Sequence, residues 1–224
     1  MMESFTFKGT SSNSLGIIVK EMPLVSRSER NIETINVNGR NRPLHIDNKN
    51  YLSKSYSIVC LIKEKEHIDD ICSLFVGTGQ LTLSKYPNRV FNATIKNQID
   101  FKNYLNYLNE FPLQFELDPI SYSSTSTIEE LTSSGSITVV GNTDSYPKIT
   151  ITGTGQVTVN GHSFTVSESG VTIDSDLMIC YNGTTAKNDK VTLSEFPKLK
   201  PGTNIITLPD TVTKIKIEYN SGWL

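Results

Sequence analysis

Apolar and polar positions alternate repeatedly along this chain. In its first half Ile35 and Val37 alternate with Thr34 and Asn36, Phe91, Ala93 and Ile95 with Asn92, Thr94 and Lys96, and Leu113, Phe115 and Leu117 with Gln114 and Glu116. A period of two with one apolar face marks a half-buried strand, because successive side chains of an extended chain point to opposite sides. Ile58-Val59-Cys60-Leu61-Ile62 does not alternate, which predicts a strand covered on both faces. One segment has a different period. From Glu64 the apolar residues are Ile68, Ile71, Cys72 and Phe75, with Lys65, Glu66, Asp69 and Asp70 opposite them. That spacing predicts one amphipathic helix over about 64–76, ended by a turn at Gly77 and Gly79, with Cys72 a buried thiol on its apolar face. Phe101, Tyr104, Leu105, Tyr107 and Leu108 also fit a helix, but Asn103, Asn106 and Asn109 weaken it, and the segment stays undecided.

The second half reads as strands almost throughout. Ile149 and Ile151 flank Thr150, and Val171/Ile173, Leu177/Ile179, Ile205/Ile206 and Ile215/Ile217 give further short strands between Pro147, Pro197, Pro201-Gly202 and Pro209-Asp210. Val157-Thr158-Val159, Asn160-Gly161 and Phe164-Thr165-Val166 form a hairpin signal, since both central residues of a type I′ turn need positive φ, which Gly takes freely and Asn tolerates. Many short strands with turn signals at close intervals indicate an antiparallel sandwich or jelly roll.

Composition supports a mainly β chain. Of 224 residues two are alanine, Ala93 and Ala186, although 19 Asn and 22 Ile point also to an AT-rich coding bias. The net charge of −2 divides into +1 over residues 1–122 and −3 over residues 123–224, so neither half resembles a nucleic-acid binder. Ser plus Thr rises from 18 in the first 122 residues to 31 in the last 102. The step falls at residues 121–127, a polar stretch expected to link two domains, 1–122 and 123–224. No apolar run approaches the roughly 20 residues of a membrane span, and Met1 to Gly9 lacks an apolar signal segment, so neither membrane insertion nor export is expected.

Candidate chemistry is sparse. There is no Gly-x-Ser-x-Gly elbow, no His-Glu-x-x-His and no phosphate-cradling loop. Cys60, Cys72 and Cys180, like His45, His67 and His162, are scattered, where zinc needs clustered ligands. Asp174 and Asp176, at i and i+2 on an expected strand, would share a face at a separation a calcium site or a glycosidase pair uses, with a solvated strand edge as the plainer explanation. Sugar recognition would draw on Tyr146, Phe164, Tyr181, Phe196, Tyr219 and Trp223, whose commoner role is core packing. The reading is a non-enzyme with no catalytic residue, cofactor or metal.

Taken in order, the first half resembles the N-terminal domain of the distal tail (Dit) proteins of long-tailed phages with non-contractile tails. The resemblance rests on Phe5, Phe7, Gly9, Gly16-Ile17 and Pro23, then Arg30, Glu33, Val37-Asn38-Gly39-Arg40 and Tyr51. It continues through Ile71, Leu74-Phe75-Val76-Gly77-Thr78-Gly79-Gln80-Leu81, Leu83-Ser84, Pro87, Ala93, Ile95, Phe111, Phe115, Pro119 and Tyr122. The second half is similar to the family's galectin-like sandwich in Gly141-Asn142-Thr143, Pro147 to Gly153, Asn160-Gly161, Ile173-Asp174, Phe196-Pro197, Leu199, Pro201 to Asn204 and Trp223. Two departures stand out: Asn41-Arg42-Pro43 follows Gly39-Arg40 where the family often has a small turn residue and Gly, and Phe75 replaces a frequent Trp.

The resemblance implies two β-sandwich-type domains, the first carrying the helix and the second galectin-like. It also implies a virion protein at the tail tip, assembled in the bacterial cytoplasm. Six copies would form a ring joining the major tail tube protein to tail-associated or baseplate proteins, with DNA passing through a central channel without specific binding. The first domain would make the ring and the second decorate it. An arm including Val37, Asn38, Gly39, Arg40 and Arg42 would reach a neighbouring subunit. The alternative is a carbohydrate-binding, lectin-like module that meets a host cell-wall saccharide.

Overall fold

The computed structural model describes residues 3–62, 68–96, 98–105 and 108–224. Contacts divide the chain into two compact units, Met1–Ser121 with Leu224, and Tyr122–Trp223.

The first unit contains β1 (Phe5–Phe7), β2 (Thr10–Ser11), β3 (Ile17–Glu21), β4 (Arg30–Ile35), β5 (Leu44–Tyr51), β6 (Lys54–Ile62), α1 (Ile68–Leu74), β7 (Gly77–Leu83), β8 (Tyr86–Ile95), β9 (Lys102–Leu105) and β10 (Leu108–Ser123). Its main sheet runs β2-β1-β7-β8-β10-β6-β3, with β9 also on β10. The alternations of β8 and β10 put Phe91, Ala93, Ile95, Leu113, Phe115 and Leu117 into one core. The Phe7 and Phe115 rings lie 5.5 Å apart edge to face, although β1 and β10 are separated by two intervening strands. Neighbouring strands sit about 4.8 Å apart, so the sheet curls to bring these rings together.

Several expectations are refined here. β6 alternates after all: Ile58, Cys60 and Ile62 are buried while Val59 and Leu61 are half-buried. Burial pushes the Cys60 thiol up to about 12. The helix is shorter than expected, Ile68–Leu74, and the 64–67 part of the expected span lies outside the described residues. Cys72 is exposed and not a buried thiol. On so short a helix the buried line runs through Ile71 toward Phe75, and Cys72, about 100° round from Ile71, falls outside it. Phe75 keeps the buried aromatic, stacked 5.8 Å from Phe7. Gly77 takes φ +70° after the helix, but Gly79 lies inside β7, where a Cβ would meet the Lys8 side chain at 2.4 Å. The undecided segment enters strand β9, and residues 106–107 lie outside the description.

The second unit contains β11 (Thr127–Leu131), β12 (Gly135–Val139), β13 (Lys148–Gly153), β14 (Gly155–Val159), β15 (His162–Val166), β16 (Val171–Asp174), β17 (Ile179–Asn182), β18 (Thr185–Ala186), β19 (Val191–Thr192), β20 (Gly202–Thr207), β21 (Val212–Tyr219) and β22 (Gly222–Trp223). Two sheets, β11-β21-β13-β16-β17-β18 and β12-β20-β14-β15-β19, enclose one core. Ile149, Ile151, Ile215 and Ile217 come from the first, and Val157, Val159, Phe164 and Val166 from the second. This is the sandwich the turn spacing predicts. At the β14–β15 turn Asn160 and Gly161 have φ of +51° and +85°, as a type I′ turn requires. Leu177 belongs to no strand; it is 62% exposed in the β16–β17 turn.

Candidate functional site

Strands β4 and β5 pair only with each other, forming a two-stranded arm apart from the main sheet. Their register puts Glu33 opposite Ile46 and Ile35 opposite Leu44, so these four side chains share one face; Ile32, Thr34, His45 and Asp47 share the other. The alternation of Thr34 to Val37 predicts a half-buried strand, yet Ile32, Ile35, Val37, Leu44 and Ile46 are all exposed, by 37 to 50%. The apolar pattern is present, but no second layer of the described chain covers it. Among the described residues, seven of the nine exposed large apolar side chains of the first unit lie between Leu24 and Leu52.

The tip spans residues 36–43, all exposed. Val37, Asn38, Gly39 and Arg40 form a tight turn in which the Arg40 N–H donates to the Val37 carbonyl at 3.1 Å. Gly39 has φ +82°, a region that costs other L-residues about 1 kcal/mol or more. Arg40 and Arg42 therefore stand at the end of a shaped projection, with no Asp or Glu between Thr34 and Ile46.

The root of the arm is clamped. Arg30 Nε and Nη2 donate to Asp47 Oδ1 and Oδ2 at 2.9 and 3.0 Å, and its guanidinium lies 4.8 Å from the centre of the Tyr51 ring. Arg27 lies over the same ring at 6.0 Å. Asp47 Oδ1 also accepts the Lys49 N–H at 2.8 Å, which holds Lys49 at φ +59° inside the strand irregularity. The Arg30 guanidinium, followed by the Lys49 N–H, keeps the Asp47 carboxyl below its usual range. Hydrogen bonding from Arg27 is the chief cause lowering the Tyr51 hydroxyl. The sequence pattern points to the tip residues as a candidate but not to this clamp, because Arg27, Arg30, Asp47 and Tyr51 are brought together only by the strand register.

The other candidates are not assembled into sites. Strand β16 ends at Asp174, so Asp174 and Asp176 do not share a strand face: the chain turns between them, Asp174 is fully buried and Asp176 is exposed. Neither a solvated edge nor a paired-carboxylate site describes them. Asp174 Oδ1 accepts the N–H groups of Asp176 and Leu177 at 3.2 and 3.1 Å, and its Oδ2 lies 3.4 Å from Lys148 Nζ. The charge of Asp174 raises the Lys148 pKa. Among the described residues no three His, Cys, Asp or Glu side chains gather as a metal would need, and no helix is long and apolar enough to cross a membrane. Phe164 and Tyr219 are core residues; Tyr146 is 40% exposed, with Lys198 Nζ 5.7 Å from its ring.

Comparison with known proteins supports the resemblance read from the residues. Residues 132–223 match the family model of the siphovirus-type tail component, C-terminal domain. The fold of the whole chain is similar to the crystal structure of the Dit protein (gp 19.1) of phage SPP1, described as a paradigm of the hub adsorption apparatus in phages that infect Gram-positive bacteria. That similarity covers 100% of both chains with a TM-score of 0.81 at 12% identity, so it is a likeness of fold. No curated protein matches.

Proposed function

We propose that this chain, a mainly β protein whose second unit matches the siphovirus-type tail component family, is a distal tail hub. In this reading six copies close into a ring at the tail tip. The ring joins the tube protein above to tail-associated or baseplate proteins below and leaves a passage for DNA. Residues 1–122 form the ring and residues 123–224 decorate it; the particle is assembled in the bacterial cytoplasm and works in the virion. The observation that carries the reading is the family match over residues 132–223 joined to a Dit-like fold over the full chain.

The arm supports this reading physically. An isolated two-stranded hairpin is marginal in water, and this one exposes Ile35, Leu44 and Ile46 on one face. A ring requires a heterologous contact that closes after a fixed rotation. The arm face and its tip, Val37, Asn38, Gly39, Arg40 and Arg42, supply one side of that contact. The +1 charge of residues 1–122 suits a channel that does not grip phosphates. Light scattering of the full chain is expected to give six times 24.9 kDa, with rings in negative-stain images. Ile35→Asp with Ile46→Asp is expected to leave folded monomers. A wild-type chain that stays monomeric at high concentration overturns the ring, and rings that survive the double substitution overturn the role of the arm.

A further inference from the structure

Asparagine is followed by glycine three times in this chain, at Asn38-Gly39, Asn160-Gly161 and Asn182-Gly183. The pair is chemically distinct. Glycine has no Cβ to shield its backbone nitrogen, so that nitrogen can approach the side-chain amide of the preceding asparagine and react with it. Reaction requires an amide free to turn toward the following nitrogen, with no hydrogen bonds to give up first. All three glycines sit in turns at positive φ, +82°, +85° and +58°, so the backbone does not separate them. The side chains do.

Asn160 is held at both ends of its amide. Nδ2 donates to Asn204 Oδ1 at 2.7 Å, Oδ1 accepts the Ile205 N–H at 3.1 Å, and the Asn160 N–H donates to the Ile205 carbonyl at 2.9 Å. Asn182 is held less firmly: Nδ2 donates to the Ser169 carbonyl at 3.4 Å and lies over Gly170, where a Cβ would meet it at 3.2 Å. Its backbone stays in the sheet through pairing with Thr185. Asn38 has none of these restraints. Its side chain is exposed and bonds to no described residue, and a Cβ on Gly39 would meet nothing within 4 Å. The backbone there belongs to no strand, and the turn is closed by the single Arg40 to Val37 bond.

We infer that Asn38-Gly39 is a site of self-modification by deamidation, which adds a carboxylate to the tip of the β4–β5 arm. The Gly39 nitrogen loses its proton to solvent hydroxide and bonds to Asn38 Cγ. The Cγ–Nδ2 bond breaks, ammonia leaves with a proton taken from water, and a five-membered succinimide closes. Water then opens that ring at either carbonyl. One opening gives aspartate; the other gives isoaspartate, in which the main chain runs through the side-chain methylene. The sum is hydrolysis of one amide by one water, with no change of oxidation state. Either product puts a negative charge beside Arg40 and Arg42, in a segment with no Asp or Glu between Thr34 and Ile46. The chemistry does not depend on the hub reading. Where that reading holds, the new charge falls on the contact with a neighbouring copy, and chains that wait unassembled lose part of the tip's positive character.

The test is to age the full chain in warm, mildly alkaline buffer and to follow the three sites by peptide mapping, reading the exchange of NH2 for OH. Wild type is run beside the Ile35→Asp, Ile46→Asp double variant, so that a tip covered in a ring is told from a tip that does not react. Conversion at Asn38 is expected to be fastest, ahead of Asn182 and about tenfold or more ahead of Asn160, whose two side-chain bonds must open first. Isoaspartate is expected beside aspartate at position 38, the mark of the succinimide route. Asn38→Gln, whose longer side chain would have to close a six-membered ring, is expected to remove the first acidic species seen on ion exchange while the melting temperature stays unchanged. Reaction in the double variant alone supports the inference and shows the wild-type tip to be covered. A monomeric wild type that converts at Asn38 overturns the ring and leaves this inference standing. No conversion at Asn38 in either chain, an equal rate at Asn160 or Asn182, or the same acidic species from Asn38→Gln overturns it.

Discussion

The β14–β15 hairpin sends Val157, Val159, Phe164 and Val166 into the second unit's core, whereas the β4–β5 hairpin buries none of Ile32, Ile35, Leu44 or Ile46. Both carry period-two apolar positions. The difference lies in what meets each apolar face. The two-residue Asn160-Gly161 turn keeps β14 and β15 inside a five-stranded sheet, and the facing sheet supplies Ile149, Ile151, Ile215 and Ile217. The arm has no partner strand beyond its own pair and no opposing layer among the described residues. Alternation therefore specifies an extended chain with an apolar side; burial needs a second surface, which this chain supplies for the β14–β15 hairpin and, among the described residues, does not supply for the arm.

The same substitution placed in both hairpins tests that contrast most strongly. Val157→Asp puts an unpaired carboxylate into the core and is expected to cost about 4 kcal/mol or more, enough to unfold the second unit. Ile35→Asp, at an exposed position, is expected to change stability by no more than about 0.5 kcal/mol. Urea unfolding followed by Trp223 fluorescence reports the first, and hydrogen exchange across the first unit the second. An Ile35→Asp chain as unstable as Val157→Asp would mean that the arm is packed within its own chain.

A smaller effect separates the hairpins by how their turns are held. The fully buried Asn204 accepts from Asn160 Nδ2 and the Lys200 N–H at 2.7 and 2.8 Å, and donates to the carbonyls of Lys200 and Gly202 at 2.8 and 3.0 Å. Asn160 Oδ1 in turn accepts the Ile205 N–H at 3.1 Å. Asn204→Ala removes all four of these part-buried hydrogen bonds and is expected to lower stability by about 2–4 kcal/mol. A loss below about 1 kcal/mol would show that the network does not hold the turn.

These particulars show which parts of the molecule a single sequence discloses. The Asn160-Gly161 turn, the β8 and β10 core faces and the helical line through Ile71 are local in cause, and each is legible from a few residues. Asp174 is different. Its burial depends on Lys148, across a strand pair, and on the turn at Leu177, so reading i and i+2 could not place it. Cys72 shows the limit of periodicity over a seven-residue helix, where a stripe is too short to average out one misplaced position. Of the candidate interface, the tip was legible as Val37-Asn38-Gly39-Arg40; the clamp beneath it was not, since Asp47 and Arg30 are 17 residues apart.

That clamp gives the smallest and most local test of the contrast, because acid should loosen the arm at a root held by a carboxylate, while the Asn160 turn is held by amide groups. The Asp47 carboxyl is held below its ordinary value of 3.8, first by Arg30 and then by the Lys49 N–H. A carboxyl with a lowered folded-state pKa contributes stability that is complete above its unfolded value and is lost as pH falls through the folded value. The clamp is thus intact at neutral pH and is released only as pH falls through the folded value, which lies below the ordinary one. In an NMR titration the Lys49 amide resonance should shift with a midpoint below that value, and Arg30→Gln should move the midpoint up toward it. The Asn160 and Ile205 amides, whose partners carry no titrating group, should stay still over the same range. A Lys49 midpoint at or above the ordinary carboxyl value, or one that Arg30→Gln leaves in place, would show that the arm is not held at its root by this pair.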